Sequence, residues 1–150
     1  MNTQSLVLDN QLCFKLYAAS RAVTRAYKPM LEQLGLTYPQ YLVMLVLWQW
    51  QETATAQPTV KALGTQLLLD SGTLTPLLKR LEQLALIRRQ RGTSDEREVH
   101  LSLTQAGIEL REHVLPLKAR LLCDSGVDLS QAQALRRDLD QLLRQLRDLT

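Results

Sequence analysis

A mainly α-helical chain carrying one small β-hairpin is what this sequence predicts, folded as a single unit. Three observations lead there. Apolar residues recur at three- and four-residue spacings through most of the chain; the segment 59–87 reads as two short helices around a tight LLD turn; and IRRQRGTSDEREVHLSL then alternates apolar and polar residues on either side of a GTSDE tip. A helix pair followed by a two-stranded wing is a winged helix-turn-helix. With 150 residues, 45% of them hydrophobic, and no break in composition, one core is expected and not two.

Taken in order, Asp9 and Asn10 are N-cap residue types, and an apolar helical period follows from Leu12 to Tyr27 until Lys28-Pro29 is expected to stop it. Arg21, Thr24 and Lys28 mark the polar side of this first helix. Gly35 is placed to end a short MLEQL turn. Thr37 then caps a second helix with Pro39 in its first turn, running through YLVMLVLW, apolar almost all round and therefore central. QETATAQP reads as a polar loop ending at Pro58, and Thr59 as the cap of a short helix through Leu67. Asp70 or Ser71 caps the next helix, from about Gly72 to Leu84. In the wing, Val99, Leu101 and Leu103 share one face and Glu98, His100 and Ser102 the other. Thr104 caps a long helix expected to bend at Pro116, and Ser130 caps a last one in which Leu135, Leu139, Leu142, Leu146 and Leu149 form a stripe. That stripe needs a surface to pack on, and a symmetric dimer is the economical solution. The expected organisation is a single domain over 1–150. Its winged lobe spans about 55–103, and the helices of 1–35 and 104–150 build the homodimer interface.

The longest apolar runs fall well short of the roughly 20 residues of a membrane span, and MNTQS begins the chain without a basic, apolar leader pattern. A soluble cytoplasmic protein without membrane contact is expected. Net charge is only +3, so bulk charge does not by itself argue for a polyanion partner. Local charge does: between 79 and 97 lie Lys79, Arg80, Arg88, Arg89, Arg91 and Arg97 against Glu82, Asp95 and Glu96. The second helix of the pair opens with Ser71, Thr73 and Thr75, small hydroxyls suited to phosphates and base edges at the end that enters a major groove. Arg97 at the wing tip is placed to respond to minor-groove width. Double-stranded DNA is the partner this predicts. The bland alternative makes the hydroxyls ordinary first-turn residues, the arginines a solvated face and the wing a protein-interaction module.

Two cysteines with 109 residues between them make neither a secreted disulfide framework nor a zinc signature, and His100 and His113 stand at no metal spacing, so no metal or cofactor is assigned. Cys13 falls in the first turn of its helix, where the helix dipole favours a thiolate. Tyr17 is one turn along on the same face. Tyr27 lies 14 residues on, about 21 Å along the axis, and reaches a Cys13 only from an antiparallel helix of another subunit; Tyr38 would arrive by the same symmetry. Phenols donating to sulfur stabilise its charged form. Considered singly, a free cysteine on an apolar face is ordinarily a small buried hydrophobe, and such tyrosines are packing residues.

The run LDSGTLTPLLKRLE with the later DEREVHLSLTQAG resembles the MarR family of dimeric winged-helix repressors, in an element order that matches over essentially the whole chain. With LTYPQYLVMLVLW and the Cys13, Tyr17, Tyr27, Tyr38 pattern it resembles one branch, the organic hydroperoxide resistance regulators. The resemblance implies that the helix from Ser71 docks in the major groove of a palindromic operator and that Asp95 orients Arg97 in the minor groove. It implies that Cys13 is the peroxidatic thiol, hydrogen-bonded by Tyr27 and Tyr38 of the partner subunit. It further implies that Cys123, in KARLLCDSGVDLS, resolves the sulfenic acid as an intersubunit disulfide, against a reading in which Cys123 is filler and a small thiol resolves it. A redox-sensing repressor, not an enzyme, follows, released by organic hydroperoxide, reset by cellular thiols and governing an organic hydroperoxide reductase. Two rivals stand beside it: a repressor sensing a phenolic ligand with Cys13 structural, and a thiol peroxidase, which would have no use for the basic wing.

Overall fold

A computed structural model of the chain describes residues 2–54 and 58–147. Two 3-10 turns, Thr3–Leu6 and Leu8–Asn10, lead into α1, Leu12–Leu34. The expected caps Asp9 and Asn10 are not used. Asn10 Nδ2 donates to the Gln4 carbonyl at 2.9 Å, which folds it back into the preceding turn, and Gln11 occupies the cap position without capping α1 through its side chain, whose Nε2 donates back to the Ser5 and Val7 carbonyls. Nor does Pro29 end the helix. Proline in a helix interior costs about 3 kcal/mol, but here the turn beyond it buries Met30 and Leu31, and Gly35, at φ +71°, closes the helix with its N–H on the Glu32 carbonyl. Burial of the two side chains outweighs the lost backbone bond.

Helix α2, Tyr38–Thr53, starts from a reciprocal cap: Gln40 N–H donates to Thr37 Oγ1 and Thr37 N–H to Gln40 Oε1. It is the central element, burying Tyr41, Val43, Met44, Val46, Leu47 and Trp48. Trp48 Nε1 donates to the Gly107 carbonyl at 2.8 Å, locking α2 to the start of α5. The expected loop 51–58 is reduced by α2 running on to Thr53 with Ala54 left-handed behind it; its middle, 55–57, and with it the start of the expected lobe, lies outside the described residues.

Helix α3, Val60–Leu67, is capped by Thr59 Oγ1, and α4, Ser71–Gln83, by Asp70 Oδ1, which accepts from Thr73 N–H at 2.7 Å. Between them Leu68 takes a left-handed conformation, and Leu69 N–H donates to the Gly64 carbonyl. A Cβ on Gly64 would stand 2.7 Å from the Leu69 carbonyl oxygen, so only glycine lets the turn close this tightly. Leu74, Leu78 and Leu81 bury one stripe of α4. Strands β1, Ile87–Arg91, and β2, Val99–Leu103, pair antiparallel with Ile87 opposite Leu103 and Arg91 opposite Val99. Leu101 is buried while Val99 and Leu103 are half-buried, and Leu101 N–H donates to the Pro58 carbonyl, so the connection after α2 forms the wing's other edge.

Helix α5, Gln105–Ser125, is capped by Thr104, whose hydroxyl accepts from Gly107 N–H and donates to the Ala85 carbonyl, and it runs unbroken through Pro116. Helix α6, Leu129–Arg147, follows Gly126. Its cap is not Ser130 but Asp128, whose carboxylate accepts from both Ser130 and Gln131 N–H, because a charged acceptor two residues earlier outcompetes a hydroxyl. No residue of α6 is buried within this chain: Leu135 and Leu146 are exposed, Leu139 and Leu142 half-buried, and Leu149 lies outside the described residues.

Candidate nucleic-acid interface and thiol centre

The opening of α4 and the wing enclose a groove of about 1120 Å³, to which Thr65, Ser71, Thr75, Arg89, Asp95 and Arg97 contribute. Ser71, Thr73 and Thr75 are exposed, and Thr75 Oγ1 donates back to the Ser71 carbonyl at 2.7 Å, in a rotamer fixed by the helix itself. Asp95 Oδ1 accepts from both the backbone N–H and the Nε of Arg97, at 3.0 and 3.3 Å, which holds a guanidinium whose side chain is 92% exposed. Lys79, Arg80 and Arg88 are exposed but outside this groove. Sequence reasoning missed two parts. Lys61 and Thr65, at i, i+4 spacing on α3, line the same groove, a signal visible in the sequence. Arg89 is half-buried and paired with Glu82 at 3.0 Å, tying β1 to α4 and spending its charge internally. The Arg89 hydrogen bond holds the Glu82 carboxyl below the usual range, as the Thr73 N–H does for Asp70.

Cys13 is the second residue of α1 and exposed. Cys123 lies inside the last turn of α5, also exposed. Tyr17 is exposed and stacks under the Arg21 guanidinium, 5.3 Å from ring centroid to Cζ. Tyr27 and Tyr38 meet edge to face at 5.4 Å, and the sequence did not disclose the third member: Tyr41 lies 5.9 Å from Tyr27 and 6.3 Å from Tyr38. Burial, then the neighbouring phenols, pushes Tyr41 up to about 12; burial and Tyr27 raise Tyr38 as well. From α5, Lys118 donates to Tyr27 Oη with its ammonium 4.4 Å from the ring centroid.

The packing of α5 on α1 orders these parts along one axis. Ala26, Pro29, Met30 and Gln33 share a crevice with Leu117, Arg120, Leu121 and Asp124. Cys123, next to Asp124, therefore stands level with the tyrosine end of α1. Cys13 begins the same helix 13 or more residues earlier, about 20 Å away. Within one chain the two sulfurs cannot meet. Among the described residues no group of three or more His, Cys, Asp or Glu is placed to hold a metal ion, and no helix is long and apolar enough to cross a membrane.

Residues 25–114 match the profile of the transcriptional regulators SarA/Rot. The chain is 50% identical over 141 residues to the organic hydroperoxide resistance transcriptional regulator of Bacillus subtilis, covering 92% of each. Among solved structures, reduced AbfR bound to DNA, a protein known from Staphylococcus epidermidis, superposes with a TM-score of 0.77 at 36% identity, covering 97% of this chain and 99% of that one. The disulfide form of AbfR gives 0.62 at 35% identity, covering 98% and 94%. Six helices with a two-stranded hairpin in this order, and identity of this extent, place the chain in the MarR family of winged-helix transcriptional regulators, within the organic hydroperoxide resistance branch.

Proposed function

We propose that the protein is a homodimeric repressor that binds palindromic operator DNA when Cys13 is reduced and leaves it when organic hydroperoxide oxidises that thiol. The observation that carries this reading is the separation of the sulfurs: the tyrosine cluster and Cys123 share one end of the α1/α5 pair and Cys13 holds the other. A second copy running antiparallel brings each Cys13 to the partner subunit's Tyr27 and Tyr38, with that subunit's Cys123 about five residues along α5 from Lys118. Tyr17, on Cys13's own helix, shields the sulfur from the solvent side.

The chemistry balances in two steps. The Cys13 thiolate attacks the outer oxygen of ROOH; the O–O bond breaks, sulfur is oxidised to sulfenic acid, and the alkoxide takes a proton and leaves as ROH. The Cys123 thiol then displaces water, forming the disulfide. Drawing the ends of α1 and α5 together turns the two α4 helices away from the spacing of successive major grooves. Ser71, Thr73 and Thr75 read the groove and its phosphates, Lys79, Arg80 and Arg88 add backbone charge, and Asp95 holds Arg97 for the minor groove. Support comes from AbfR, described reduced on DNA and in a disulfide form, and from the poorer superposition of this chain on that disulfide form than on the reduced, DNA-bound one.

A non-reducing gel after one equivalent of cumene hydroperoxide per subunit tests it, with Cys13→Ser and Cys123→Ser alongside. The expected result is a dimer band in the wild type, reversed by dithiothreitol and absent from both variants. A monomer band with Cys13 oxidised would remove Cys123 from the mechanism. No oxidation at all would replace the thiol switch with a repressor sensing a small ligand.

A further inference from the structure

The tyrosine cluster holds a cation that the sensing chemistry described above does not use. Lys118 reaches from α5 over the Tyr27 ring and donates to its hydroxyl oxygen. The direction of that bond is fixed, because an ammonium has hydrogens to give and no lone pair to receive. The Tyr27 oxygen therefore accepts, and its own hydrogen is directed elsewhere. Among the described residues none takes it. A phenol whose oxygen already accepts from an ammonium is also a stronger donor, and its best acceptor is an anion.

The other groups around the cluster do not supply this charge. From α2, Tyr38 and Tyr41 contribute neutral phenols held neutral by burial. On α1, Lys28 faces Glu32 at 3.9 Å, and further along α5 Arg120 faces Asp124 at 3.9 Å, so both cations have carboxylates beside them. Arg21 is drawn to Tyr17, and Arg25 lines the outer groove by Tyr38. Lys118 is half-buried, takes part in no ion pair among the described residues, and is the cation in contact with the phenols.

We propose that Lys118 is a positioning residue of the thiol switch, aiming and polarising the Tyr27 O–H toward the partner subunit's Cys13 and so favouring the reactive thiolate there. This rests on the reading that Cys13 docks on the partner's tyrosines.

The test uses the full-length protein carrying Cys123→Ser, so that Cys13 is the remaining thiol, and follows the pH profile of its alkylation by iodoacetamide together with its oxidation rate by cumene hydroperoxide. Lys118→Met is expected to move the profile up by about one pH unit and to slow oxidation at pH 7 about 10-fold. Lys118→Arg is expected to stay on the unsubstituted profile, and operator binding of the reduced protein to be unchanged in both. If Lys118→Met does not fold, Lys118→Gln replaces it: displacement with Gln and none with Arg supports the role. A Met or Gln profile that overlays the parent while Tyr27→Phe is displaced overturns the role of Lys118 and leaves the tyrosine docking standing. If Tyr27→Phe also overlays the parent, the docking itself fails, and Lys118 with it.

Discussion

Tyr41 is 2% exposed, and its ring closes the cluster that Tyr27 and Tyr38 begin. Its phenol ionises at about 12 in the folded chain, against about 10 when unfolded. A value raised on folding means that the contribution to stability is complete below pH 10 and drains away as pH rises from 10 to about 12. Tyr41→Phe keeps the ring and removes the titration. Over that window the wild type should lose roughly 2 kcal/mol relative to Tyr41→Phe, measured by urea unfolding at matched protein concentration. Parallel pH dependences would contradict the assignment. At this scale the sequence was only partly legible. Tyr27 and Tyr38, which meet in the structure, were singled out through the resemblance, whereas Tyr41 looked like one more apolar position of a buried helix. Lys118, 91 residues from the hydroxyl it contacts, carried no local sign of its role.

Among the elements, the start of α5 is the joint at which the bundle meets the winged lobe. Gly107 there gives its carbonyl to Trp48, and a Cβ on it would stand 2.2 Å from the Leu86 carbonyl oxygen. Backbone cannot yield that far without moving the β1 entry. Gly107→Ala is therefore expected to cost about 3 kcal/mol, read as a lower urea midpoint with an unchanged slope, and an effect under about 1 kcal/mol would show that the joint is pliable. Helix starts were legible where the cap acts on the backbone three residues ahead, as Thr37, Thr59, Asp70 and Thr104 do. They were misread where two acceptors compete, as Asp128 does with Ser130, or where a polar side chain turns back, as Asn10 does to Gln4. Pro29 was misread for a different reason: helix propensity is a local quantity, while the burial of Met30 and Leu31 that overrides it is not.

For the whole molecule the unburied leucines matter most. Leu12 near Cys13, Leu115 and Leu122 on α5, and Leu129, Leu135 and Leu146 on α6 are all exposed in the single chain. Apolar surface on so many helices at both ends of a chain is the mark of an interface. Leu135→Glu with Leu146→Glu, each exposed within its own chain, should convert a dimer into a monomer by light scattering and abolish operator binding, and a dimer that persists would move the interface off α6. The sequence by itself determined the element order, the wing and the axial distance between Cys13 and Tyr27, because each follows from helical or strand periodicity over a few turns. Only the tertiary structure decided that Glu82 holds Arg89, that Trp48 locks onto Gly107, that Tyr41 joins the phenols and that Lys118 meets the Tyr27 hydroxyl. Those contacts join residues that no repeat relates, and they exist because burying α2 on all sides forces α1, α4, α5 and the wing against one another.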